Sequence, residues 1–414
     1  MTVRNTRLRV GVVFGSRSVE HEVSIITALQ AMDAMDPLRF EAVPLYVTKE
    51  GHWLTGDELR RVDAYKDPAS LAKRCRRAYL RPEPADGALW IDETGPLGMH
   101  RTRSVKLDVV FPIVHGTFGE DGTLQGLLEL ADVPYVGAGV VGSAVGMDKI
   151  IMKAAFRAAG LATVEYEWFT RAQWQAEREG ILDRLIGKLR FPLFVKPANL
   201  GSSIGITKAG DRDSLANAID VAAAFDRRLL VEESFEGGTE INCSVLGTDP
   251  PRASVCEEPV RWTEILSYED KYLRGGGGGK GSGKAGAGSG GGSGSGEGMA
   301  SLDRRIPAPL TPELTARVQE TAIAAFVATD GAGVARVDCL VDPASGRVCV
   351  NEINTIPGSL SFYLWEPSGL PFPRLIETLI DLARERHRER QQTTWSIDSK
   401  LIEQFGKGAK GSKA

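Results

Sequence analysis

The chain is 414 residues long, 42% hydrophobic and 25% charged, a globular composition with material for about two to four domains. Fifty basic side chains against 54 acidic ones leave a formal net charge of −4, so no global field draws nucleic acid or an anionic membrane, and no run approaches the ~18 apolar residues of a spanning helix. Five scattered cysteines, Cys75, Cys243, Cys256, Cys339 and Cys349, lack CxxC spacing and disulfide density, which fits a reducing cytoplasm.

In chain order, Val10 to Phe14 reads as a first strand ending at Gly15 rather than as a leader segment. Val23, Ile26, Leu29 and Met32 then recur at three-residue spacing and predict a helix with Ser18 as its N-cap. Val109 to Val114 is a second buried strand, running into the loop His115-Gly116-Thr117-Phe118-Gly119-Glu120-Asp121-Gly122. A short strand, Pro134-Tyr135-Val136, meets Gly137, and Asp148 to Ala159 predicts a helix closed by Gly160. From Pro192 onward strands predominate through Leu246. The last ordered unit is a hairpin over Val334 to Asn354 and an amphipathic helix from about Pro373 to Glu389. Short apolar strands alternating with helical patterns argue α/β architecture, with boundaries near Val136 and Val231. Gly275 to Gly298 holds 15 glycines in 24 positions, and such a run, with nothing to bury, is expected to be a mobile loop. Gln391 to Ala414 reads as a flexible polar tail.

Two glycine patterns carry little. Gly137 to Gly142 matches GxGxxG between a strand and a helix, but the acidic partner of a dinucleotide site belongs ~20 residues on and Glu165 comes late, so a domain-joining turn is the plainer reading. Gly278 to Ala285 has Walker A spacing to Lys284, yet Ala285 stands where Ser or Thr would hold Mg²⁺ and no strand precedes it; a low-complexity run matches by chance.

The hairpin is more informative. Alternation puts Arg336 and Asp338 on one face of the first strand and Glu352 with Asn354 on one face of the second. With a loop of Asp342 to Gly346, Arg336 falls opposite Glu352 and Asp338 lies diagonal to it. Two carboxylates, an amide oxygen and a guanidinium in one patch suit Mg²⁺ bound with a nucleotide triphosphate; a surface ion pair between Arg336 and Glu352 is the alternative. Lys196, at the end of the strand Phe191 to Pro197, can reach phosphate oxygens while Gly201-Ser202-Ser203 lays N–H groups and hydroxyls over them, or can snorkel to solvent.

Together these residues resemble the D-alanine–D-alanine ligases, ATP-grasp enzymes of peptidoglycan synthesis, from about Arg9 to Glu389. Six motifs in the family's order carry the resemblance: Val19-Glu20-His21-Glu22-Val23-Ser24, the His115 to Gly122 loop, Met147-Asp148-Lys149, Lys196 to Ser203, Lys271-Tyr272, and Asn351-Glu352-Ile353-Asn354-Thr355-Ile356-Pro357-Gly358. The resemblance implies an α/β, three-domain ATP-grasp fold: an N-terminal Rossmann-like α/β domain over 1–136, a central domain over 137–231, and a C-terminal domain over 232–390 that holds the 275–298 insertion. The latter two, both α+β, would clamp ATP, with 391–414 as a tail. It also implies a reaction. ATP phosphorylates the carboxylate of one D-alanine, and the amine of a second attacks the acyl phosphate. Implied cofactors are ATP and two Mg²⁺ ions, with Mn²⁺ as an alternative metal. The implied setting is a cytoplasmic homodimer that takes D-alanine and ATP and engages neither nucleic acid nor membrane.

Carried over by motif, Lys149, Lys196 and Lys271 would contact ATP phosphates together with Ser203, while Asp338, Glu352 and Asn354 would hold the metal, Glu352 bridging both ions. Arg336 and the Gly358 N–H would face the oxyanion. Glu22, Ser202 and Tyr272 would form the hydrogen-bonded group that places the second amine, and His115 would lie in the substrate pocket. Adenine would meet Val231 to Phe235, with Glu232, Glu233 and Phe235 as contacts, and Glu240 would bind ribose. This chain departs from the family in its glycine run after the lid residues Lys271 and Tyr272. It departs again in Glu236 to Glu240, one residue longer than usual, and in Ser359-Leu360-Ser361-Phe362-Tyr363-Leu364, where the family carries a longer loop. The second substrate's carboxylate is therefore assigned to Ser361 or Tyr363, beside Leu364. Ligases that make a D-lactate ester tend to lack the lid tyrosine, so Tyr272 favours D-alanine as second substrate, with D-serine and D-lactate as the alternatives.

Overall fold

The computed structural model describes residues 7–84, 87–94, 99–201, 204–259 and 304–397, with Ser399, Leu401, Ile402 and Phe405 beyond them. The 275–298 run lies outside the described residues, as do Ser202, Ser203, Lys271 and Tyr272.

β1 (Leu8–Gly15) is flanked by β2 (Phe40–Val47) and β7 (Val109–Ile113), parallel to both. A strand in that position is covered on both faces, which its nearly unbroken LRVGVVFG sequence satisfies. Gly15 ends it at φ 91°, where a Cβ would sit 2.3 Å from the Val47 carbonyl oxygen, so only glycine fits the turn into α1 (His21–Ala34). Ser18 does not cap that helix; its Oγ accepts the Glu20 N–H at 3.1 Å in the turn ahead of it. β3 (Trp53–Thr55), α2 (Pro68–Arg74), β4 (Arg76–Leu80), β5 (Ala88–Thr94) and β6 (His100–Lys106) follow β2. Their strands extend the sheet antiparallel, giving the order β6-β5-β4-β3-β2-β1-β7. After α3 (Thr123–Leu130), the expected strand at Pro134 to Val136 amounts to one parallel bridge, Val110 to Tyr135.

α4 (Val140–Met147) leads into α5 (Lys149–Ala158), where the Asp148 carboxylate accepts the Ile150 and Ile151 N–H groups at 3.1 and 3.0 Å. Gly160, at φ 77°, closes α5 as the sequence predicts. A second, antiparallel sheet of order β10-β9-β11-β8 comprises β8 (Tyr166–Thr170), β9 (Leu193–Pro197), β10 (Thr207–Ala209) and β11 (Arg228–Glu233). α6 (Arg171–Ala176), α7 (Arg178–Lys188) and α8 (Arg212–Ala223) are interleaved with it. α8 stands in a stretch where strands were expected to predominate: Leu215, Ala218, Ile219 and Ala222 follow a helical period and are buried, and Asp211 with Ser214 makes a capping box. One face of the sheet packs on α7 and α8 through Leu185, Leu193, Val195, Leu215, Leu229 and Val231. The alternate residues Lys196, Leu230 and Glu232 belong to the other face.

The third sheet has the order β14-β13-β12-β15-β16, from β12 (Thr239–Gly247), β13 (Arg252–Pro259), β14 (Arg304–Arg305), β15 (Gly333–Asp342) and β16 (Arg347–Asn354). α9 (Pro312–Ala328), joined by Met152 and Phe156 of α5, buries one face over Ile241, Cys243, Val337, Cys339 and Val350. Beyond α10 (Phe362–Trp365), α11 (Phe372–Arg390) returns to the first sheet, where Leu375, Ile376, Leu379 and Ile380 share a core with Val10, Val12, Ala28 and Ile113. Arg386 donates to the Gly137 carbonyl at 2.7 Å, and His387 meets Asp132 Oδ1 at 3.1 Å. No helix among the described residues is long and apolar enough to cross a membrane.

Candidate active site

The opposite face of the third sheet is a polar ladder, buried in part by Tyr363 and Trp365 of α10. Glu257 of β13 pairs across to Asn242 of β12, Asn242 to Asp338 of β15, and Asp338 to Glu352 of β16. Two residues along, Ser244, Arg336 and Asn354 form a second row. This corrects the sequence register, which set Arg336 against Glu352. The turn closes one pair further out, at Asp342 and Arg347, and a bulge between Asp338 and Cys339 leaves Asn351 as an extra residue on β16. The two carboxylates therefore face each other directly. The Arg336 guanidinium turns to Asp338 instead, with Nε and an Nη at 2.6 and 2.8 Å from its two oxygens, and Asn354 Nδ2 donates to Asp338 Oδ2 at 3.1 Å. Burial pushes the Asp338 carboxyl up to about 6; the Arg336 guanidinium opposes that shift, and Glu240 and Glu352 add to it. No cluster of three or more His, Cys, Asp or Glu side chains suited to a metal forms among the described residues. The donor set here is two opposed carboxylates and an amide oxygen, hard ligands that fit Mg²⁺ completed by phosphate oxygens and water.

α5 brings one lysine to this ladder and another to the second sheet. Lys149 Nζ lies 3.2 Å from Glu352 Oε2 and donates to the Leu200 carbonyl at 3.2 Å, beside the Gly201 loop. Lys196 contacts Glu232 Oε1, and Lys153, which the motifs did not single out, lies 3.0 Å from Glu232 Oε2. Burial alone would raise the Glu232 carboxyl, but the two ammonium groups hold it down at about 2. Of the other residues expected near adenine, Glu233 faces away: it accepts the Arg190 N–H at 3.0 Å and pairs with its side chain. Phe235 lies under the Arg347 guanidinium at 5.2 Å, and Glu240 belongs to the polar side of β12 with Asn242. Leu364 is fully buried in an apolar cluster with Tyr363, Val255 and Ile306, so it packs rather than lining a polar subsite. The Tyr363 hydroxyl reaches Glu257 Oε1 at 3.4 Å, and Arg304, itself 2.7 Å from Glu257 Oε2, stacks 3.9 Å over the Tyr363 ring.

From the first sheet, His115 is buried between Ile356 and Thr27. Its Nδ1 donates to the Ile356 carbonyl at 2.7 Å, which leaves Nε2 to accept the Thr27 hydroxyl at 3.1 Å. Thr27 Oγ1 in turn accepts the Ser359 N–H at 3.1 Å. Glu120 fastens the same loop, accepting the Gly116 and Ile356 N–H groups at 2.8 Å each. Burial, and the neighbouring Glu20, push its carboxyl up to about 8. Gly358 is buried ahead of three left-handed residues, Ser359, Leu360 and Ser361, at φ 51°, 51° and 52°. The Ser361 Oγ is buried without a hydrogen-bond partner.

Glu22 does not join this group. It is 58% exposed and paired with Lys49 at 2.5 Å. Glu20 is buried, and a Cβ on Gly201 or Gly116 would lie 2.7 or 2.6 Å from its Oε2, which puts its carboxylate between the His115 loop and the Lys196 loop. Helical period was the available signal: Glu20, Ser24, Thr27 and Ala31 fall on one face and are buried, whereas Glu22 lies off it.

A family model described as the D-ala D-ala ligase N-terminus matches residues 9–138, and one described as the D-ala D-ala ligase C-terminus matches residues 155–281 and 298–381. The chain belongs to this family. The D-alanine–D-alanine ligase of Bacillus cytotoxicus is 39% identical over 408 residues, covering 95% of this chain and 100% of its own length. That of Heliobacterium modesticaldum is 41% identical over 393 residues, covering 92% and 96%. Among solved structures, the D-alanine–D-alanine ligase from Coxiella burnetii matches with a TM-score of 0.73 and 32% identity, over 98% of this chain and 99% of that one. The VanG D-Ala:D-Ser ligase from Enterococcus faecalis also gives 0.73, at 28% identity over 91% and 100%. The three sheets are thus an ATP-grasp fold, and membership in the ligase family brings use of ATP and a divalent metal.

Proposed function

We propose that this chain joins two D-alanine molecules at the expense of ATP, giving D-alanyl-D-alanine, ADP and phosphate, as a cytoplasmic homodimer in peptidoglycan synthesis. The observation that supports it most is the opposition of Asp338 and Glu352 beside Lys149, with Lys196 and Glu232 across from them. Asp338, Glu352 and Asn354 would hold Mg²⁺, or Mn²⁺ in its place, and the bound metal would supply charge neutralisation for the phosphates. Lys149 and Lys196 would face the phosphate oxygens, joined by Ser203 and Lys271, and Glu232 would face the base. A carboxylate oxygen of the first D-alanine attacks the γ-phosphorus and the bond to the β-phosphate oxygen breaks, releasing ADP. The amine of the second D-alanine then attacks the acyl phosphate carbon, loses a proton, and phosphate leaves. Arg336 and the Gly358 N–H would stabilise the oxyanion of that step. The structure favours Glu20 over Glu22 as the carboxylate that works with Ser202 and Tyr272, since it alone is buried against the Gly201 loop. Ser361, with its unfilled hydroxyl, is favoured over Tyr363 for the second carboxylate. We divide the chain functionally at 136 and 231, and α5 and α11 pack across those lines.

The likeness to a D-Ala:D-Ser ligase makes D-serine the second reading for the acceptor. Purified protein with ATP and Mg²⁺ should release ADP when D-alanine is supplied and not with L-alanine, and mass spectrometry of a D-alanine, D-serine and D-lactate mixture should show D-alanyl-D-alanine as the main product. ADP release with L-alanine alone would sink the reading; a dominant D-alanyl-D-serine product would move it to the second.

A further inference from the structure

Lys153 follows Lys149 by one helical turn, so the two ammonium groups leave α5 on the same side. They go to different sheets. Lys149 reaches Glu352 of the third sheet, and Lys153 reaches Glu232 of the second. Side chains of Lys153, Glu232 and Lys196 are 1%, 3% and 11% exposed, so the three charges meet with little water to screen them. Glu232 is shared, Oε2 toward Lys153 and Oε1 toward Lys196. Within this trio two cations and one anion leave one positive charge, and Glu352 and Glu240 act on Lys196 from the third sheet as well. Were Lys153 neutral, Glu232 and Lys196 would form a closed pair, and the lysine read above as phosphate-facing would have no net charge to offer.

Geometry adds a second point. Although Lys153 Nζ and Glu232 Oε2 are 3.0 Å apart, neither atom makes a well-directed hydrogen bond. The contact between them is chiefly one of charge. Burying an ammonium with its hydrogen bonds incomplete costs stability, and here the ammonium lies against the carboxylate that positions Lys196.

We propose that Lys153 is a positioning residue of the nucleotide site, drawing on one oxygen of Glu232 so that Lys196 keeps an uncancelled charge for an anionic phosphate chain. The proposal rests on the reading of Lys196 given above. Its test is binding of ADP and of inorganic tripolyphosphate, which has no base, measured by titration calorimetry on the wild type, Lys153→Met, Lys153→Arg, Glu232→Gln and the double variant Lys153→Met/Glu232→Gln. Lys153→Met should weaken both probes roughly tenfold or more, the scale set by losing one partner of a buried charge pair, and Lys153→Arg should bind close to wild type. In the double variant the carboxylate that would cancel Lys196 is gone, so tripolyphosphate affinity should recover most of that loss. Glu232→Gln alone should bind tripolyphosphate at least as tightly as wild type. A purely structural lysine would not show that recovery. Tripolyphosphate affinity unchanged in Lys153→Met, or not recovered in the double variant, would overturn the proposal, and if Lys153→Met does not fold, weaker tripolyphosphate binding by Glu232→Gln overturns it alone. Failure of the wild type to release ADP with D-alanine would count against the ligase reading and leave this charge relation standing.

Discussion

Glu20 and Glu22 stand two residues apart in one motif, and their surroundings are opposite. Glu22 makes an exposed pair with Lys49, a contact of the kind worth less than about 1 kcal/mol. Glu20 sits in a buried crevice with Gly116 and Gly201 against its oxygen, where the absence of a Cβ on either glycine gives it room. A fixed carboxylate there can hold a substrate ammonium in low dielectric, an effect worth roughly 10²- to 10³-fold in rate when such a group is removed. Glu20→Gln is therefore expected to lower kcat/KM for D-alanine by about that factor, and Glu22→Gln to stay within about twofold of wild type. Steady-state kinetics at saturating ATP decides between them, and the reverse order of effects would return Glu22 to the site.

At the scale of elements, the segment from Pro357 to Ser361 is irregular and tied to distant parts of the chain. Three successive non-glycine residues at positive φ cost roughly 1–2 kcal/mol each. The bonds that hold them come from α1 and from the end of β7: Ser359 N–H to Thr27, Ser359 Oγ to Gln30 at 2.9 Å, and Thr27 to His115. Burial lowers the His115 pKa below the ordinary 6.5, and the neutral imidazole so favoured meets the Ile356 carbonyl with its N–H and the Thr27 hydroxyl with its lone pair. Above about pH 6.5 the imidazole is neutral whether the chain is folded or unfolded, and its stabilising effect is complete. As pH falls from there through the lower folded value, the unfolded chain takes up the proton first and that contribution is lost. Glu120, raised to about 8, has the opposite slope, stabilising most at low pH. The difference between wild type and His115→Asn isolates the histidine, since Glu120 contributes to both. That difference in unfolding free energy should be largest near pH 7 and shrink toward pH 5. A difference that grew on acidification would mean His115 is charged in the folded protein. None of this tethering was legible beforehand, because it joins residues 88 to 332 apart in the chain. The motif His115-Gly116 marked the place, and the partners came only from the fold.

For the whole molecule, periodicity found the elements with strong, simple patterns: β1, β7, α5, the β15–β16 hairpin and α11 all lie within a few residues of their sequence positions. It missed α8, whose buried face is half alanine, and the strands β4 to β6, whose outer faces are charged. It put Asp338, Glu352 and Asn354 on one face and set their register wrongly, since a bulge at Asn351 is a local geometric event that hydrophobic alternation does not announce. Nor did it foresee that the chain's last long helix would complete the core of its first sheet. Leu379 of α11 is fully buried with Val10, Val12 and Ile113, and a Cβ on Gly333 of β15 would lie 3.6 Å from it, so one side chain touches both ends of the fold. Leu379→Ala should cost about 2–5 kcal/mol. If α11 is integral to the first sheet, the loss will not stay in the helix. Hydrogen exchange should then quicken together in β1, β7 and α11, while β8 to β11, whose core is separate, keep their protection. Faster exchange confined to α11 would show that the helix opens alone and that the first sheet holds its core without it.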